Sequence, residues 1–123
     1  MQPLNVVVAC GDTTAAHSLA QNLNQHFRTV SIASNVTEAR TAIPKHRAHV
    51  AIVDLETVSL GEVTELCREF SATSVVCTHR LPDEEMWAAA LAAGAIDCCH
   101  NDDALEIVQS VDRNLRRVRS TAA

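Results

Sequence analysis

The stretch AHVAIVDLE, residues 48–56, decides the fold. From His49 to Val53 it is mostly apolar and rich in β-branched residues, and it ends on a carboxylate, Asp54. An apolar run without polar alternation reads as a strand buried on both faces, as in a parallel sheet. In an open parallel sheet, ligands bind outside the carboxyl ends of the strands. Asp54 stands at such an end and is the candidate functional centre.

Working outward, apolar runs alternate with segments of helical period. Leu4 to Cys10 (LNVVVAC) reads as a first buried strand. Gly11-Asp12-Thr13 turns the chain, and Asp12 or Thr13 can cap a helix. Ala16, Leu19, Ala20, Leu23 and Phe27 then share one helical face. Val30 to Ala33 is a short second strand. Asn35 can cap a second helix through Ala39, Ala42 and Ile43, which Pro44 should weaken or stop. After Asp54, Gly61 marks the turn before a third helix with Val63, Leu66, Cys67 and Phe70 on one face. Thr73 to Thr78 (TSVVCT) is the fourth strand.

Pro82 suits the first turn of a fourth helix, and Asp83, Glu84 and Glu85 suit its positive end. That Ala-rich helix stops at Gly94, a left-handed cap. Ala95 to Cys99 is the fifth strand. Asn101 or Asp102 caps a last helix whose buried stripe is Ile107 (or Val108), Val111, Leu115 and Val118. Five strand–helix units predict an α/β fold, a doubly wound parallel sheet of order 2-1-3-4-5 with helices on both faces. That order sets Asp12 and Asp54 facing each other at the switch point. The expected organisation is one domain over residues 1–118, with 119–123 a tail or the start of a linker.

Composition narrows the class. The 123 residues suit a single domain, and 47% are hydrophobic, enough for a real core. Tyr is absent and there are two Phe and one Trp, so that core must be aliphatic. A net charge of −5 argues against nucleic acid as a direct partner. No apolar run approaches the roughly 18 residues of a membrane span, and no signal-peptide pattern opens the chain; the reading is cytoplasmic, with no membrane partner.

Cys10, Cys67, Cys77, Cys98 and Cys99 form no CxxC pair and read as buried reduced thiols. A metal site from Cys98, Cys99, His100, Asp102 and Asp103 is disfavoured, because adjacent strand residues point to opposite faces. GxGxxG, GxSxG and P-loop patterns are missing, and no general base with a substrate cleft stands out, so the chain does not read as an enzyme.

Two carboxylates at neighbouring strand ends make a hard, oxygen-rich site suited to Mg²⁺. An aspartate can also act as nucleophile toward a phosphoryl group, and a metal offsets the repulsion between the two anions. Thr78, at a third strand end, could donate to a phosphoryl oxygen. Asp12, Asp54 and Thr78 therefore outline a phosphoryl-acceptor site.

With Asp54, Thr78 and LAAGAIDCC at residues 91–99, the chain resembles a response-regulator receiver domain of two-component signalling, over nearly its whole length to about residue 117. The resemblance implies a flavodoxin-like (βα)5 fold. It implies that Asp54 takes a phosphoryl group from a histidine kinase or phosphotransfer protein. The carboxylate of Asp12, Asp54 itself and the backbone carbonyl of Glu56 would hold Mg²⁺, and the Thr78 hydroxyl would carry the switch. Helix four, strand five and helix five would form the homodimer or effector face, with Met86 and Trp87 exposed there.

Several positions depart from the family pattern. Gly11 replaces one of two adjacent acids, so Mg²⁺ binding should be weakened. Asn101 stands where the family has lysine at the end of strand five, Asp102 where it has proline, and Cys98 at the switch aromatic. Thr57-Val58 replaces a Met-Pro pair, and the segment from Asp54 to Thr78 is several residues short. The missing lysine contact is worth about 1.5–3 kcal/mol, against about 5.5 kcal/mol for nearly complete switching. The expectation is atypical or impaired phosphorylation; the alternative is a phosphorylation-independent pseudo-receiver that acts as a protein-interaction module.

Overall fold

The structure is a computed structural model that describes residues 2–122, with side chains described from Pro3 to Leu115. Five strands and five helices alternate. They are β1 (Gln2–Ala9), α1 (Thr13–Leu23), β2 (Phe27–Ala33), α2 (Val36–Lys45), β3 (Val50–Asp54), α3 (Leu60–Glu69), β4 (Ser74–His79), α4 (Glu84–Ala92), β5 (Asp97–His100) and α5 (Ala104–Ala122). All strand pairs are parallel, in the order β2-β1-β3-β4-β5. This is the flavodoxin-like, doubly wound arrangement that the alternating pattern predicts.

Every residue of β3 is buried, as its unbroken apolar run requires. Val50 and Ile52 pack with Leu19 and Leu23 of α1 and Ile107 and Val111 of α5. Ala51 and Val53 face the other layer, with Ile43 of α2, Val63 and Leu66 of α3, and Ala90 of α4. The core is aliphatic on both sides, with Phe27 its one fully buried aromatic ring. Cys98 and Cys99 fall into opposite layers, which separates the two thiols of the disfavoured metal reading.

Capping sets most helix starts. Asp12 accepts from the Ala15 amide and Asn35 from the Glu38 amide. Ser59 and Glu62 form a reciprocal capping box, so α3 begins at Leu60 and Gly61 lies inside the helix rather than in the turn before it. Two further expectations need correction. Phe27 is not on α1; that helix ends at Leu23, and Phe27 opens a β2 longer than Val30 to Ala33. The α5 cap is Asp103, which accepts from the Glu106 amide at 3.0 Å, rather than Asn101 or Asp102.

Pro82 precedes the Asp83 cap of α4 instead of joining its first turn. Pro44 sits in the last turn of α2, which ends one residue later. Gly94 takes the left-handed conformation at φ 112° beyond α4, where a Cβ would lie 3.0 Å from the Cys67 sulfur. On α5, Ile107 and Val111 are buried and Leu115 packs against them. The Val118 side chain lies outside the described residues.

The α4–β5–α5 side is joined at one carboxylate. Asp97, whose side chain is 15% exposed, accepts at Oδ1 from Trp87 Nε1 (3.0 Å) and from the Cys98 amide (2.8 Å). Its Oδ2 accepts from Ser110 Oγ (2.5 Å) and pairs with Arg113 (3.4 Å). Trp87 is 44% exposed, whereas Met86 is half-buried against the core, so only the first of these two side chains is open at the surface.

Candidate functional site

The C-terminal ends of β1, β3 and β4 meet at one rim. Asp54 pairs in register with Thr78, and the Leu55 amide donates to the Thr78 carbonyl at 2.9 Å. Between the strand ends and the start of α1 lies a hollow of about 180 Å³ lined by Asp12, Asp54, Glu56, Thr78, Arg80 and Asn101, with Cys10 beneath. The sequence-derived trio of Asp12, Asp54 and Thr78 therefore shares one hollow, and Glu56 and Asn101 join it. Cys98 does not; its side chain lies in the opposite core layer beside Cys77.

Asp54 is recessed, with 8% of its surface exposed. Its Oδ1 is sealed from solvent and receives no hydrogen bond. Its Oδ2 has two long partners, the Thr57 hydroxyl at 3.4 Å and the Cys10 thiol at 3.9 Å. Burial raises the Asp54 pKa. The Glu56 amide opposes that shift, the Glu56 carboxylate adds to it, and Thr57 and His79 pull the other way. Burial dominates because so few donors reach the anion.

Gly11 lies next to this hollow and is tied to Asp54 through Thr57. Its amide donates to Thr57 Oγ1 at 2.7 Å, and Thr57 in turn reaches Asp54. A Cβ at position 11 would lie 3.2 Å from Thr57 Oγ1 and 3.4 Å from the Ser34 carbonyl. Any side chain at position 11 would therefore press on the Thr57 hydroxyl. Arg80, just past β4, pairs through Nε with Glu56 Oε1 at 2.6 Å.

Residue-by-residue reading missed Cys10 and Arg80, which line the hollow, and Thr57, which bridges Gly11 to Asp54. Each stands within three residues of a strand end that was already singled out, and that proximity is the signal that could have flagged them.

The donor set suits a hydrated Mg²⁺ better than a closed cage. Three carboxylates line the hollow, but Asp12 already uses Oδ1 for the α1 cap and Glu56 is paired with Arg80. Among the described residues no group of three His, Cys, Asp or Glu side chains is arranged to hold an ion. Mg²⁺ commonly binds through one or two carboxylates plus water and phosphate oxygens, and that much is present. Burial and the neighbouring Asp54 and Asp12 charges hold the Cys10 thiol above its usual pKa.

Solved structures of receiver domains superpose closely on this fully parallel 2-1-3-4-5 fold. The receiver domain of the putative response regulator NarL from Mycobacterium tuberculosis superposes with a TM-score of 0.80 at 20% identity, covering 94% of this chain and 98% of that one. The Francisella response regulator 1452 receiver domain gives 0.79 at 18% identity, with 94% and 98% covered. The BeF3-activated DrrB receiver domain gives 0.76 at 17% identity, with 94% and 99% covered. No protein-family model matches the sequence, and no curated protein does. The chain has the receiver-domain fold. No helix among the described residues is long and apolar enough to cross a membrane.

Proposed function

We propose that this domain is a signal-transduction receiver that accepts a phosphoryl group on Asp54, slowly or incompletely, and thereby changes its contacts with a partner. The observation that carries this is the placement of Asp54 at the end of the central strand, facing a hollow shared with Asp12, Thr78 and Glu56. The Asp54 carboxylate oxygen forms the new bond to phosphorus. The bond from phosphorus to the donor breaks, and the leaving group, acetate from acetyl phosphate or imidazole from a phosphohistidine, departs with the electron pair. A histidine kinase or phosphotransfer protein is the donor this chemistry fits.

A bound Mg²⁺ supplies charge neutralisation between nucleophile and donor. The carboxylates of Asp12 and Asp54 and the carbonyl of Glu56 would hold it. Thr78, buried beside Asp54 in register, would donate its hydroxyl to a phosphoryl oxygen. Two features support slow or incomplete reaction. Asn101 lines the hollow where a lysine charge would assist. Cys98 lacks the ring that would report the change along β5.

One observation favours the second reading, a partner-binding module that works without phosphorylation: Oδ1 of Asp54 is sealed and the residue is 8% exposed. The signalling role in either case belongs to binding rather than to turnover of a substrate. Intact-mass measurement after acetyl phosphate and Mg²⁺ separates the two. A gain of one phosphoryl group in the wild type and none in Asp54→Ala supports acceptance at Asp54; no gain in either supports the module.

A further inference from the structure

We propose that Arg80 is the phosphoryl-binding cation of this domain, exchanging its ion pair with Glu56 for one with the phosphoryl group on Asp54. The inference rests on the phospho-acceptor reading above and assigns the residue that answers the new charge. Asp12, Asp54 and Glu56 make the hollow strongly acidic, and Arg80 is the one basic residue among those that line it. A phosphoryl group bound there brings roughly −1.5 to −2 further charge. That charge needs a cationic partner, and Asn101 at the end of β5 carries none.

Arg80 is held in a way that allows the exchange. Its side chain is 74% exposed, and its described contact is the single Nε–Oε1 bond to Glu56, whose side chain is 43% exposed. Ion pairs this open to water are weak and screened. The guanidinium keeps both Nη groups, a fork that matches two oxygens of a phosphoryl group. Arg80 also stands two residues beyond Thr78 on the same chain, so the hydroxyl and the cation approach the acceptor from one strand end.

The test uses beryllofluoride with Mg²⁺ as the phosphoryl stand-in, on the whole chain. Calorimetry gives the affinity, and NMR follows the Arg80 Nε–H resonance. The expected result is that Arg80→Ala binds about tenfold or more weakly, the range of a lost charge-assisted contact. Arg80→Lys should recover part of that loss, since it keeps charge without the fork. Glu56→Gln should bind more tightly than wild type, because it frees Arg80; a merely structural Arg80–Glu56 pair would weaken in both variants. Lifetimes of the phosphorylated protein after acetyl phosphate should follow the same order. Wild type and Arg80→Ala binding alike, with the Nε–H resonance unmoved, overturns the inference and leaves Asp54 phosphorylation intact. Wild type that neither binds the probe nor gains a phosphoryl group overturns both.

Discussion

Replacing Asp54 by Asn should stabilise the fold, and the amount can be worked from its surroundings. The carboxylate is 8% exposed, its Oδ1 is shut off from solvent with no hydrogen-bond partner, and its Oδ2 has long contacts to a hydroxyl at 3.4 Å and a thiol at 3.9 Å, with the Glu56 amide giving partial relief. Leaving a buried polar group unsatisfied costs about 1–3 kcal/mol, and more for a charge. Asn keeps the shape and removes the charge but still leaves an amide atom poorly paired. The net gain expected at pH 7 is about 1–2 kcal/mol. For a domain of this size that corresponds to a melting temperature higher by about 3–10 °C.

The gain must also depend on pH in one direction. The folded-state pKa of Asp54 lies above its unfolded value of 3.8. Between those two values the native state retains a proton that the unfolded state has released. The contribution of Asp54 to stability therefore falls as pH rises through that window and stays flat above it. The advantage of Asn should grow as pH rises through that window and shrink as pH approaches 4. Thermal melts of both proteins by circular dichroism, in EDTA, measure it. An Asn variant that melts at or below wild type at pH 7, or whose gain is as large at pH 4 as at pH 7, refutes the reasoning.

Gly11→Asp should destabilise by about 1–3 kcal/mol in urea melts, because its Cβ crowds Thr57 Oγ1 and disturbs the 2.7 Å bond to that oxygen. The double variant Gly11→Asp/Thr57→Ala should regain part of that loss and bind Mg²⁺ more tightly than wild type by calorimetry. Asp97→Ala strips the acceptor from Trp87, Ser110 and the Cys98 amide and should cost about 2–4 kcal/mol, with the Trp87 emission shifted to the red. Cys77, Cys98 and Cys99 should resist a thiol reagent at pH 8 in the native state and react within the dead time in guanidinium. Burial pushes their pKa values up to about 12, 11 and 12.

The fold was legible because the pattern was redundant. The apolar run ending at Asp54, the caps at Asp12 and Asn35 and the Gly94 stop all agree with one topology, and each lies where it was expected. Errors came where two local signals compete. Gly61 reads as a turn, yet the Ser59–Glu62 capping box sets the helix start ahead of it. Phe27 extends the α1 stripe by spacing, but its burial comes from β2. Asp103 was outranked as a cap by two neighbours of equal propensity. The gathering of Asp12, Asp54 and Thr78 follows from strand order alone. The Thr57 bridge and the Arg80–Glu56 pair do not, since loop side chains near a strand end have no periodicity to betray their direction.

The Gly11–Thr57 bond also constrains how this pocket can be altered over generations. An acid arriving at position 11 by itself meets a tightly seated neighbour, so its benefit to metal affinity comes with a stability deficit. A prior change at position 57 loosens that seat and removes only one bridging hydroxyl. The two substitutions are thus coupled, and their order matters: an acid at position 11 is tolerated better once residue 57 has become smaller.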